Sequence, residues 1–112
     1  MNGDGHYVQI QFALDDPVRA DAIVATLLAL HLVACGQRTT PVISHYRWKG
    51  ALEQAEEWLV LLKTRAELAE QVIDVIVRDH PYETPEVIVL PVIQGSPRYL
   101  DWIAEVTVEA AG

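Results

Sequence analysis

The chain has 112 residues, 51% hydrophobic and 21% charged, with a formal net charge of −8. That length gives one domain around a single core, and charges scattered through so apolar a sequence exclude a disordered chain. Eight Lys and Arg stand against sixteen Asp and Glu, so no basic face is available to neutralise phosphates, and nucleic acid is excluded as a partner.

Cys35 is the only cysteine, which leaves no intrachain disulfide and predicts a reducing compartment. The opening "MNGDGHYVQIQ" has no basic n-region followed by a long apolar run, and stretches such as "IVATLLALHLVAC" are too short to span a bilayer. Neither a signal peptide nor a membrane segment is expected. A single domain over residues 1–112 follows, with 1–5 expected to be flexible.

Residues 6–14, "HYVQIQFAL", alternate, with Val8, Ile10, Phe12 and Leu14 on one face, which predicts a strand. Asp16 then caps a helix with Pro17 in its first turn, and Ala20, Ile23, Val24, Leu27 and Leu30 form its apolar stripe. After Cys35 and Gly36 the polar "QRTTP" reads as a connection. "VISHYRWKG" at 42–50 reads as a second strand, with Val42, Ser44, Tyr46 and Trp48 on one face and Ile43, His45, Arg47 and Lys49 on the other.

Gly50 supplies the turn into a third strand over 56–63, making a long hairpin apolar enough on both faces to be buried. "TRAE" at 64–67 reads as a capping box, with Thr64 and Glu67 exchanging bonds across the first turn. It opens a helix whose face carries Leu68, Val72 and Ile76. Pro81 disfavours helical geometry in the residue before it, so the helix ends near His80. A fourth strand spans 86–93, and Pro91 marks it as an edge or a bulge. Ser96 and Pro97 repeat the cap-plus-proline signal before a last helix with Tyr99, Trp102, Ile103 and Val106.

The order βαββαβα predicts an α+β fold of the ferredoxin-like, split βαβ type: a four-stranded antiparallel sheet with two helices on one face and an extra C-terminal helix. The other sheet face would be bare, and in so short a chain another copy of itself is the simplest cover.

Four motifs then occur in order: "LVAC" at 32–35, "SHYRWKG" at 44–50, "LLKTR" at 61–65 and "HPYETPEVIVLPVIQGSPRYLDWI" at 80–103. Together they resemble the CutA family of divalent-cation tolerance proteins, from about Val8 to Trp102. The resemblance implies a tight homotrimer joined through its sheets, a cytoplasmic location, a structural likeness to PII signalling trimers, and an association with copper and other divalent metals without a settled catalytic activity. The chain departs from the family pattern at "GQRTTP", 36–41, which is polar where the family is usually apolar. Phe12 and Asp79 stand where some members carry a cysteine and a second histidine.

Several side chains are chemically fit for a site. The Cys35 thiolate suits Cu(I), though a cysteine after "LVA" also serves as a small core residue. His80, Glu83 and Glu86 could bind a divalent cation through imidazole and carboxylate. Equally, "DHPYETPE" at 79–86 could be a rigid junction, with His80 in the last helical turn and Tyr82 packed. With Cys35, His80 and Glu83 as candidate metal ligands, copper or another divalent cation is the expected ligand; no organic cofactor is evident.

In a trimer of the kind the resemblance implies, Tyr46, Arg47, Trp48, Lys49, Lys63, Tyr82 and Glu86 would line a cleft between subunits. There Lys49 or Arg47 and Lys63 would converge with Glu83 or Glu86 of another copy to suit a small anion or a metal–anion complex. A sheet strand with a packed and a solvated face is the alternative for "YRWKG". His6, His31 and His45 read as surface or structural residues. With no Gly-rich phosphate loop, defensible Ser-His-Asp order or H-E-x-x-H helix, an enzyme is not expected. The leading expectation is a metal-binding homotrimer in divalent-cation homeostasis; the alternative is a PII-like signalling trimer that binds small molecules and has no metal role.

Overall fold

A computed structural model describes residues 6–108. The expectation of flexibility at 1–5 falls outside that range. The elements are β1 (Tyr7–Leu14), α1 (Pro17–Ala29), β2 (Cys35–Trp48), β3 (Ala51–Arg65), a short 3-10 turn (Ala66–Leu68), α2 (Ala69–Asp79), β4 (Val87–Val92) and α3 (Pro97–Val106). The sheet order is β2-β3-β1-β4 and every pairing is antiparallel. Two βαβ crossovers therefore interleave around a central β1–β3 pair, the ferredoxin-like plan the order predicts.

Alternation along β1 and β3 decides the core. Val8, Ile10, Phe12 and Leu14 face Thr64, Leu62, Val60 and Trp58 in register, and all but Trp58 are buried. Ala20, Ile23 and Leu27 of α1, with Val72, Val75 and Ile76 of α2, close over them into one cluster that also takes in Leu68. Asp16 accepts from the backbone N–H groups of Val18 and Arg19 at 3.0 and 3.2 Å, capping α1 as its sequence predicts. At the other end of that helix His31 adopts a left-handed φ of 57°, and its carbonyl accepts from the Val108 N–H at 2.9 Å.

The structure corrects the sequence reading in three places. β2 begins at Cys35, so "GQRTTP" is sheet rather than connection: Cys35, Gly36, Gln37 and Arg38 pair with Lys63, Leu62, Leu61 and Val60 before a register shift between Arg38 and Pro41. A Cβ on Gly36 would lie 2.6 Å from Val24 Cγ1, so glycine is what lets this strand pass beneath α1. Arg38 Nε meets Asp21 Oδ1 of α1 at 2.5 Å beside it.

The "TRAE" capping box does not form. Thr64 continues β3 opposite Val8, and its hydroxyl donates to the Leu32 carbonyl at 2.6 Å, while Glu67 accepts from Arg65 at 2.7 Å. The helical turn opens after Arg65 with no side-chain cap. Ser96 likewise makes no side-chain cap, although Pro97 does take the first helical position of α3.

β2 and β3 outrun the rest of the sheet. β1 ends at Leu14, opposite Trp58, so residues 42–57 leave the body as a two-stranded arm. Its turn has φ of 50° at Lys49 and 82° at Gly50, the pair of positive φ values that matches the right-handed twist of a tight hairpin. The arm gives the molecule extents of 45 × 26 × 26 Å and a radius of gyration of 14.7 Å, against about 13 Å for a compact chain of this length. Burial of this hairpin on both faces is not achieved within one chain: Ile43, Tyr46, Trp48 and Leu52 are all exposed, Leu52 at 76%.

The second sheet face is partly covered. Arg65, which opposes Tyr7 and so points away from the core, donates to the Thr107 hydroxyl at 2.9 Å and to the Val108 carbonyl. These bonds seat α3 across that face. Leu100 and Ile103 are buried there, apart from the main cluster. Ile88 and Leu90 of the edge strand β4 stay exposed on the same face.

Candidate functional site

The junction between α2 and β4 is held by bonds that reach two strands of the sheet, β1 and β3. His80 ends α2 in an extended conformation, its N–H still bonded to the Ile76 carbonyl at 2.9 Å. Its ring turns inward and is only 7% exposed. Nε2 lies 2.7 Å from the Ala13 carbonyl oxygen of β1, and the Tyr82 N–H donates to Nδ1 at 3.2 Å. Because a carbonyl can only accept and an amide N–H can only donate, the ring is neutral with its proton on Nε2.

The Tyr82 ring stands edge-on to His80 at 4.5 Å, and Phe12 is also edge-on to it at 6.3 Å. The Tyr82 hydroxyl donates to Glu57 Oε2 at 2.9 Å. Glu57 is only 8% exposed. Burial, and then the bond to this carboxylate, hold the Tyr82 phenol above its ordinary range. Glu57 sits opposite Val42, one pair beyond the end of β1, so the tie fastens the root of the arm. Sequence reasoning missed Glu57. Its only local sign was a carboxylate in "EEWLVLLK" on the threshold of a buried strand.

Along the same junction Glu86 accepts from Gln11 Nε2 at 3.0 Å, while Glu83 is exposed. Cys35, half-buried, lies on the α3 side of the sheet, near Tyr99. Burial first, and then Cys35, raise Tyr99 above the usual phenol range. Lys63, opposite Cys35, donates to Gln37 Oε1 at 2.6 Å.

One chain does not bring the candidate metal ligands together. Cys35 aligns through Lys63 with Gln9, whereas His80 contacts Ala13, four residues further along β1, a separation of roughly 13 Å in the strand direction alone. His80 also has no lone pair left for a cation, since Nδ1 already accepts and Nε2 carries the proton. Among the described residues no group of three or more His, Cys, Asp and Glu could hold a metal ion.

The cleft residues are likewise dispersed. Tyr46 and Trp48 share one face of the arm, with Arg47 on the other, and Lys49 Nζ lies over the Trp48 ring at 5.5 Å. Lys63 lies near the far end of β3, roughly 40 Å from the arm's tip at about 3.4 Å per residue. Only a second copy can bring that tip to Lys63, Tyr82 or Glu86.

The profile of the CutA1 divalent ion tolerance protein family matches residues 8–106. The divalent-cation tolerance protein CutA of Salmonella newport is 40% identical over 88 residues, covering 79% of this chain and 76% of that protein. Protein CutA of Mus musculus is 39% identical over 88 residues, 79% of this chain; the match spans half of the mouse protein's length. The crystal structure of CutA1 from the psychrotrophic bacterium Shewanella sp. SIB1 superposes with a TM-score of 0.91 at 28% identity, covering 95% of this chain and 99% of that one. Matching in profile, in sequence and in fold, the chain belongs to the CutA1 divalent ion tolerance protein family.

Proposed function

We propose that this protein serves divalent-cation tolerance as a non-catalytic homotrimer that binds copper or another divalent cation as cargo. Membership in the family supports the role in divalent-cation tolerance. The observation that carries the assembly is the arm together with the open part of the second sheet face. Tyr46, Trp48, Ile88 and Leu90 are apolar, project to that face and are exposed in the single chain. Side chains of this kind, contiguous with an edge strand, are the composition of a face meant to be covered.

The cation reading rests on membership in a divalent ion tolerance family. With no sufficient group within one chain among the described residues, a cation site would need ligands from more than one copy, and Cys35 is the one soft donor among the described residues. A lone thiol with no second cysteine in the sequence also fits the cytoplasm.

Light scattering at micromolar concentration tests the assembly: a mass three times that of the chain is expected, and a monomer overturns it. Replacing Ile88 and Leu90 together by glutamate should shift that mass downward. Calorimetry with copper and zinc ions should show saturable binding to the assembled protein that weakens on Cys35→Ser and disappears in the dissociated variant. Binding that survives both changes would place the cation elsewhere.

A further inference from the structure

We infer that His80 is a proton-sensitive latch: neutral, it holds Tyr82 on Glu57 and fixes the root of the arm; protonated, it lets Tyr82 go. The inference starts from the two ring contacts. Both partners are backbone groups with fixed roles, the Ala13 carbonyl at 2.7 Å and the Tyr82 N–H at 3.2 Å. Neither can exchange donor for acceptor, as a hydroxyl or a water could. A second ring proton would set two N–H groups against each other at Nδ1, and rotating the ring would forfeit both bonds.

The surroundings do not compensate. From α1, Asp16 and Arg19 line the groove that His80 borders, and from α2, Arg78 and Asp79 do so. Asp16 is committed to the N–H groups that open α1, and Asp79 to Arg78 at 2.9 and 3.2 Å. From β1 the ring meets Phe12 and the Ala13 carbonyl; Asp15, beside Tyr82, Glu57 of β3, and Glu83 and Glu86 further along complete the charged groups at the junction among the described residues. Among the described residues no carboxylate hydrogen-bonds the imidazole to favour its charged form.

The consequence reaches beyond the junction because of where Tyr82 ends. Its hydroxyl donates to Glu57, paired with Val42 at the first arm position past β1. Losing the Tyr82 N–H bond frees the segment that carries the ring, and with it the tie to the arm.

Proton–nitrogen correlation NMR tests this between about pH 8 and about pH 5, the interval in which an imidazole changes charge. Near pH 8 the Nε2–H tautomer of His80 is expected. On acidification the Tyr82 amide should move in step with the His80 ring, and amide exchange over residues 42–57 should quicken by about tenfold. His80→Gln keeps one acceptor and one donor without titrating, so its Tyr82 amide should stay still. Glu57→Gln should keep the acid response, because the titrating group is still present.

An Nδ1–H tautomer near pH 8, an equal response in His80→Gln, or loss of the response in Glu57→Gln would each overturn the latch. Should His80→Gln not fold, the tautomer and the joint titration of His80 and Tyr82 in the unmodified protein decide.

Discussion

Tyr82→Phe isolates one bond at the arm's root. The ring stays, and with it the edge-on contact to His80 at 4.5 Å; only the hydroxyl that donates to Glu57 at 2.9 Å is lost. A hydrogen bond to a charged group contributes about 1.5–3 kcal/mol, and stranding a buried acceptor adds to its loss. Glu57 is 8% exposed but Tyr82 is only half-buried, so the lower part of that range applies, about 1.5–2 kcal/mol.

Glu57→Leu is the informative second change, since replacing both partners by apolar groups is close to neutral. The double variant should therefore be more stable than the sum of the single changes predicts, by about 1–2 kcal/mol. Equilibrium denaturation of all four proteins at one fixed chain concentration measures this, because assembly adds its own stabilisation.

The pH dependence gives a second handle. The Tyr82 phenol is raised in the folded state, so its contribution is fully present below the unfolded phenol value of about 10. It is lost as the pH rises through the folded value, and Tyr82→Phe should remove that alkaline loss. A coupling within about 0.5 kcal/mol of zero, with an unchanged alkaline limb, would refute the bond as a structural tie.

Gly36→Ala should cost about 1–3 kcal/mol, because the new Cβ would stand 2.6 Å from Val24 Cγ1 in a packed interior; a neutral thermal-unfolding result would mean that α1 moves away freely. Thr64→Val keeps the shape and removes the hydroxyl that donates to the Leu32 carbonyl at 2.6 Å, so denaturant unfolding should show a loss of about 1–2 kcal/mol. Stability unchanged by Thr64→Val would argue for a water or another donor at that carbonyl. Arg38→Ala breaks the pair with Asp21, whose side chains are 34% and 56% exposed; the expected loss is under about 1 kcal/mol and should shrink further in high salt.

What the sequence made legible was whatever a short stretch decides for itself. The alternation of Val8, Ile10, Phe12 and Leu14, the Leu68–Val72–Ile76 stripe, the Asp16 cap and the break at Pro81 each act over a few residues, and each appears in the structure. Pro91 falls on an edge strand for the same kind of reason.

The misreadings came where a distant partner overruled a local signal. Thr64 looks like a cap until Val8 and the Leu32 carbonyl claim it from across the sheet. Gly36, Gln37 and Arg38 have weak strand propensity, yet Leu62, Leu61 and Val60 supply a ready ladder. For the site, the junction was visible in "DHPYETPE", but its purpose was not. His80 looks like a ligand because imidazole so often is one; in the fold its Nε2–H is spent on Ala13, remote in sequence, and its remaining lone pair on the Tyr82 N–H.

The arm extends this reasoning beyond one chain. A two-stranded hairpin is marginal in water without a third strand or a packed face, and residues 42–57 have neither once β1 has ended at Leu14. Yet they carry Ile43, Tyr46, Trp48 and Leu52, side chains that a solvent-exposed ribbon would have no reason to concentrate. Within the chain the arm is therefore specified only by its turn at Lys49 and Gly50 and by its root, where Trp58 opposes Leu14 and Glu57 takes the Tyr82 hydroxyl. A tie at the root matters most for a lever so thinly supported, since a small change of angle there displaces the tip by many times as much. That is why the bond between Tyr82 and Glu57, minor by its energy alone, is the point at which a change at His80 would reach the face proposed to meet another copy.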